Sequence, residues 1–267
     1  MIQIRALARA ACIFRTLLAV AIPAIASVSA HAGRGTDPDF LEQQKRYARV
    51  KGALQNKADA LDRHLAAQGL KSTELNILIV AYKSEGVLDL YAKKPDAASY
   101  GKLASYPICA ASGVLGPKRK AGDRQVPEGF YRIDRFNPAS SFHLSLGIDY
   151  PNAADRLKTR AADPGGDIFI HGSCVTIGCL PMTDAMMEEI YLYAVYARSS
   201  GQRVIPVYVF PFRMTQENME RHEAIYRGRP EMLTFWRNLK EGHDKFIESG
   251  KALTVRVTSK GDYDFGP

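Results

Sequence analysis

The sequence predicts an α+β protein, a loop-rich β core with helices added at the N- and C-terminal ends. Three observations predict it. Turn formers crowd the middle: residues 101–165 hold seven of the 21 glycines and six of the 14 prolines, a density that suits short strands and tight turns and disfavours a doubly wound α/β sheet. Short runs of β-branched and aromatic residues recur between 76 and 210. Helical spacing of apolar residues marks both flanks.

The elements follow in order. A helix is expected over 39–68, opened by Asp37-Pro38 and closed by Gly69, with Phe40, Tyr47, Val50, Leu54, Leu61 and Leu65 on one stripe. Strands at 76–82 and 87–91 flank Ser84-Glu85-Gly86, a hairpin turn. Further strands are expected at 105–111, 129–135, 142–149 and 167–171. A helix over 183–198 carries Met186, Met187, Ile190, Tyr191, Ala194 and Val195 at helical spacing. A strand at 204–210 precedes helices at 215–227 and 230–248, split by Gly228-Arg229-Pro230, and Leu253, Val255 and Val257 alternate as a last strand. His64, His222 and His243 fall on charge-rich helices and read as surface residues, whereas Trp236 reads as core. The expected division is a leader over 1–32, a helical segment over 33–72, one central domain over 73–212 and a C-terminal helical extension with its strand over 213–267.

With 267 residues, 46% of them apolar and 24% charged, the chain can bury a core and is not a disordered or collagen-like polymer. Arg5, Arg9 and Arg15 precede the apolar run Thr16–Ala30, no acid occurs before Asp37, and Ala30-His31-Ala32 supplies a small-x-small cleavage signal. Residues 1–32 therefore read as a signal peptide, and export to the periplasm or cell envelope is expected. Cys12 lies ahead of the apolar run, where a lipid-carrying cysteine would not sit. No later apolar run is long enough to span a membrane. Loss of 1–32 removes three arginines and no acid, leaving 33 basic and 28 acidic residues, net +5. The basic residues are scattered among acids without interleaved aromatics, which argues against nucleic acid as a partner.

One segment concentrates chemistry: His171-Gly172-Ser173-Cys174, then Gly178-Cys179-Leu180, then Thr183 at the start of a helix. A short strand delivers His171 to its end, and the loop returns Cys179 close behind it. A nearby imidazolium or a helix N-terminus lowers a thiol's pKa and makes it a nucleophile. The N–H groups of Gly178, Cys179 and Leu180 are candidate oxyanion donors. The same residues admit other readings: His171, Cys174 and Cys179 as three ligands of a zinc-dependent peptidase or amidase, a Cys174–Cys179 disulfide, or a silent envelope-binding module using the N-terminal stripe. A serine hydrolase is disfavoured, because no Gly-x-Ser-x-Gly run occurs.

The segment resembles the catalytic signature of L,D-transpeptidases (the YkuD-like domain), in the exported branch with a His-Gly-x-Cys-x3-Gly-Cys loop. Three further stretches carry the resemblance across roughly 75–210: Ser112-Gly113 with Leu115-Gly116-Pro117-Lys118, Gly122-Asp123 through Val126-Pro127-Glu128-Gly129-Phe130-Tyr131, and Phe142-His143 through Asp149-Tyr150-Pro151-Asn152. The commoner members carry Ser-His-Gly-Cys, where this chain has Thr176-Ile177-Gly178 before Cys179, so His171 is the partner histidine that fits. The resemblance implies a mixed β-sandwich-like core and a peptidoglycan stem-peptide substrate. It further implies acyl transfer at the L-centre carbonyl of diaminopimelate through a Cys179 thioester, with His171 as general base and acid, and no cofactor or metal. Either an amine or water would resolve the thioester; the branch includes amidases that detach a wall-linked lipoprotein. Arg124, His143 and Ser173 are candidates for substrate binding. Export leaves three cysteines, and with Cys179 needed as a thiolate, Cys109–Cys174 is the expected disulfide.

Overall fold

The computed structural model describes residues 37–266; the expected leader over 1–32 lies outside them. The expected first helix is two, α1 (Pro38–Gln44) and α2 (Ala48–Ala67). Neither Gly nor Pro breaks them. The chain turns at Lys45–Tyr47, where the Arg46 and Tyr47 N–H groups donate to Gln43 and Gln44 and the buried Gln44 side chain accepts from the Tyr191 hydroxyl at 2.7 Å.

Strands β1 (Asn76–Tyr82), β2 (Val87–Lys93) and β3 (Gly101–Pro107) form an antiparallel meander. β3 starts earlier than the sequence suggests and stops at Pro107, so 108–111 is loop. β4 (Gly129–Asn137) and β5 (Ser145–Ile148) pair antiparallel. β5 is half the expected length because His143 adopts φ +64°, which no strand accommodates. Then come α3 (Ala153–Lys158), β6 (Phe169–His171), β7 (Leu180–Pro181), α4 (Asp184–Ser199) and β8 (Pro206–Phe210). The chain ends with α5 (Gln216–Ile225), α6 (Pro230–Ser249) and the hairpin β9 (Thr254–Val257) and β10 (Tyr263–Gly266).

Eight strands make one curled mixed sheet in the order β3-β2-β1-β8-β4-β5-β6-β7. β8 runs parallel to β1 and antiparallel to the first half of β4, whose second half pairs with β5. Alternation sorts β1 and β8 between two cores. Ile77, Ile79, Val207 and Val209 face α2 and α4, while Leu78, Val80, Tyr208 and Phe210 face α6 and the β9–β10 hairpin. Strands covered on both faces read as continuous apolar runs. Within the second core Phe130 meets Tyr208, Phe210, Tyr263 and Phe265 edge-on, and Gly242 lets α6 approach, since a Cβ there would stand 2.4 Å from the Phe130 ring. Trp236 is fully buried, as expected. His222 and His243 are buried too, against the sequence reading: His222 stacks on Phe212 at 3.9 Å and His243 meets Phe210 edge-on at 5.0 Å.

A buried ion pair ties this scaffold to the site. Glu128, fully buried, accepts from Lys83 Nζ at 2.8 Å, Gly116 N–H at 2.7 Å and Trp236 Nε1 at 2.8 Å. Lys83 also donates to the carbonyls of Gly116 and Val126, so both ends of the 113–128 loop are pinned to the β1–β2 turn.

Candidate active site

β6 and β7 run parallel, with Ile170 opposite Leu180 and His171 opposite Pro181. The alternation of strand side chains therefore puts Phe169 and His171 on one face and Cys179, one residue before Leu180, on that same face. Cys179 stands diagonally across from His171, and both line a cavity of about 540 Å³ with Phe142, Asp167, Phe169, Val175 and Ile177. Parallel strands ordinarily need a crossover of a dozen or more residues; here residues 172–179 do it. The chain reverses through positive φ at Ser173 (69°), Cys174 (35°) and Gly178 (142°). At Gly178 a Cβ would also stand 3.1 Å from the Gln125 carbonyl oxygen. Cys109 and Cys174 are joined by a disulfide with Cα atoms 5.3 Å apart, and Cys179 is the free cysteine. The Cys109 N–H donates to Pro181 O, which moors that segment beside β7.

His171 is 3% exposed, and its Nδ1 lies 2.6 Å from the Gly172 carbonyl oxygen. A carbonyl only accepts, so Nδ1 carries the proton and Nε2 keeps the free lone pair of the neutral ring. The Phe142 ring packs on the imidazole at 4.8 Å. Burial pulls the His171 pKa down, and the Gly172 carbonyl partly restores it. Burial pushes the Cys179 thiol up, against a lowering hydrogen bond from the Phe169 backbone. Its Sγ lies 3.7 Å from Asp167 O. At neutral pH the pair rests as imidazole and thiol.

The YkuD L,D-transpeptidase catalytic domain matches residues 77–209. A curated relative named "Putative L,D-transpeptidase YafK", from Escherichia coli strain K12, is 40% identical over 185 residues, 68% of this chain and 71% of its own; the O157:H7 protein of that name aligns equally well. The chain belongs to the YkuD L,D-transpeptidase family. Among solved structures, the helical cell shape determining protein Pgp2 from Campylobacter jejuni is 16% identical with a TM-score of 0.42, covering 74% of this chain and 80% of that one. Bdellovibrio bacteriovorus Bd1075 is 16% identical with a TM-score of 0.37, covering 71% and 76%.

The remaining candidate residues of this YkuD-family chain lie around the cavity and not in it. The Gly178 and Cys179 N–H groups, read from sequence as oxyanion donors, both donate to Thr176 Oγ1, at 3.1 and 2.8 Å; Leu180 is buried in β7. Thr176 Oγ1 in turn donates to Cys179 O at 2.9 Å. His143 is not in mid-strand. It sits in the turn before β5 and faces α4, with Nε2 3.3 Å from Glu188 Oε1, while Arg49 donates to its carbonyl. Ser173 is exposed and its N–H donates to Asp184 Oδ1 at 2.8 Å. Arg124 is exposed on the 113–128 loop with φ +56°. With Cys174 in a disulfide, the three-ligand zinc set reduces to His171 and Cys179; no cluster of three or more metal-ligating side chains occurs among the described residues. The sequence reading missed the Gly172 carbonyl, the Thr176 clamp, Phe142 and Asp167. Thr176 alone carried a signal, a hydroxyl three residues before the cysteine.

Proposed function

We propose that the protein is a cysteine-dependent acyl-transfer enzyme acting on peptidoglycan stem peptides in the periplasm or cell envelope. The observation that carries this reading is the shared face of His171 and Cys179 in one open cavity, with His171 Nδ1 occupied by Gly172 O so that Nε2 is the base. Nε2 takes the Cys179 proton as sulfur attacks the carbonyl carbon at the L-centre of diaminopimelate. The tetrahedral intermediate collapses with loss of the amine bonded to that carbon, which leaves with the proton returned by His171, and a thioester remains. An incoming amine or water, deprotonated by the same imidazole, displaces sulfur and regenerates the thiol. The oxyanion competes with Thr176 Oγ1 for the Gly178 and Cys179 amides, so these donors serve once the hydroxyl rotates away. Among leaving groups, the amine of a wall-linked lipoprotein is as compatible with this chemistry as a terminal D-amino acid.

The test is incubation of the purified protein with defined tetrapeptide muropeptides and with lipoprotein-linked ones, followed by mass spectrometry. Cys179→Ala should abolish every product while leaving the thermal melt unchanged, because a half-buried loop thiol contributes little packing. Turnover retained by that variant refutes the proposed nucleophile.

A further inference from the structure

β4 carries a register shift between Ile133 and Arg135, and a bulge beside a site re-aims a side chain. Here it sends Arg135 across β5. The residue opposite Arg135 in that strand is Gly147, and a Cβ there would stand 2.6 Å from Asp134 Oδ1 and 3.0 Å from Arg135 Nε. A glycine inside a strand weakens it; this one leaves room for the arginine side chain, which a Cβ would crowd. The guanidinium reaches the Phe169 ring, 4.9 Å from its centroid, and Nη1 meets Asp167 Oδ1 at 3.0 Å. Nε is held at 3.2 Å by Asp134. Phe169 and Asp167 line the cavity of Cys179 and His171, and the Cys179 thiol lies 3.7 Å from the Asp167 carbonyl oxygen. Asp167 itself takes φ +54°, a conformation that persists where surroundings enforce it.

An exposed ion pair contributes little to stability, and these side chains are 47% and 80% exposed. Stability therefore does not account for the bulge, the strand glycine and the strained backbone together. Binding does. The hydrogen bonds engage Nε and Nη1 of Arg135 and Oδ1 of Asp167, which leaves guanidinium N–H groups and a carboxylate oxygen to face a ligand. Opposite charges fixed side by side match a head group that carries a carboxylate and an ammonium on one carbon. The Phe169 ring, which the Arg135 guanidinium overlies and which lines the cavity with Cys179, adds apolar surface for a short methylene chain.

We propose that Arg135 and Asp167 form a subsite for a zwitterionic α-amino-carboxylate head on the acyl donor, Arg135 taking the carboxylate and Asp167 the ammonium. Resting on the acyl-transfer reading for the identity of the donor, the subsite reads the free D-centre of diaminopimelate while its three methylenes cross Phe169 and the L-centre carbonyl reaches Cys179.

Binding to the Cys179→Ala protein separates this from turnover. Isothermal titration compares a synthetic tetrapeptide L-Ala–D-Glu–meso-diaminopimelate–D-Ala with three analogues: D-centre carboxamide, D-centre N-acetyl, and lysine in place of diaminopimelate. Each analogue should bind about 10- to 100-fold more weakly, the range expected when a hydrogen bond to a charged group is lost. Arg135→Gln in the same background should weaken the parent peptide by that factor and no longer distinguish it from the carboxamide. Asp167→Asn should cease to distinguish the parent from the N-acetyl analogue, and Arg135→Lys should retain part of the discrimination. Equal affinity for parent and carboxamide, discrimination that survives Arg135→Gln in a protein with an unchanged melt, or no measurable binding of the parent overturns the subsite. If the wild type discriminates in binding yet cleaves no stem peptide, the acyl-transfer reading falls and the subsite stands. Equal kcat/KM on parent and carboxamide gives the reverse.

Discussion

Replacing both bridged cysteines, Cys109→Ser with Cys174→Ser, should cost the fold about 4 kcal/mol. The link spans a sequence separation of 65, and the loop-entropy relation gives about 4 kcal/mol at 25 °C for a closure of that length. Little else is lost, because Cys109 is half-buried and Cys174 exposed, so serine opens no core cavity at either end. For a domain of this size the loss corresponds to a fall in Tm of about 8–16 °C. Function should suffer separately. Cys174 lies on the 172–179 crossover, and without its tether the positive φ at Cys174 is no longer held by the bridge, which leaves the Ser173 N–H bond to Asp184 as a remaining anchor. Urea unfolding of oxidised wild type, wild type in dithiothreitol and the double variant reads the first effect, and kcat/KM on a stem peptide at 15 °C below each Tm reads the second. A midpoint indifferent to reductant and shared by the variant would refute the reasoning, as would peptide mapping that finds Cys174 bonded to Cys179.

His171→Ala should slow the chemical step by about 10²–10⁴-fold, and its alkylation by iodoacetamide should reach half its maximal rate above pH 9.0, since burial raises the thiol. In the wild type the working form is the neutral imidazole with its pKa held below 6.5, so kcat/KM should persist below pH 6.5 and fall only as pH drops through that lowered value; a midpoint above 6.5 contradicts the assignment. Gly178→Ala combines a φ of +142° with a Cβ 3.1 Å from Gln125 O and should cost about 1–3 kcal/mol together with most activity, read by urea titration beside the turnover assay. Gly242→Ala drives a methyl to 2.4 Å from Phe130 and 2.5 Å from Phe265; overpacking of about 1–3 kcal/mol outweighs a helix-propensity gain of about 1 kcal/mol, and Phe265→Leu in the same chain should recover part of the loss in denaturant midpoint.

The parts of this fold that were legible in the sequence are those in which local pattern and tertiary burial agree. Within β1, residues 77–82 are an unbroken apolar run because both faces are covered, and α4 begins one residue after Thr183, whose hydroxyl caps the Met186 N–H. Where tertiary contacts dictate the backbone, pattern fails. The break between α1 and α2 has no Gly or Pro to announce it and depends on Gln44 reaching Tyr191. Phe142 and His143 extend the apolar run of β5 yet lie in a turn. α3 has a local signal that the turn-rich middle obscures, the reciprocal capping box of Asn152 and Asp155. In the site, His171 and Cys179 stand out by residue type, whereas the group that orients His171 is a main-chain carbonyl, which no sequence pattern distinguishes. His143 has the right chemistry and the wrong direction, because φ +64° turns it to Glu188.

The late arrival of β8 at the centre of the sheet governs how the molecule can be assembled. Residues 206–210 lie between β1, made some 130 residues earlier, and β4, and no other strand joins these two. Until they emerge, the β1–β3 meander and the β4–β7 half are separate ribbons, each with a bare apolar edge, and neither has Val207, Val209, Tyr208 or Phe210 to complete its core. Closing such distant pairings is slow, and a chain that ends short of about residue 210 cannot close the sheet. A protein cut just before Pro206 presents two sticky edges in place of a closed sheet.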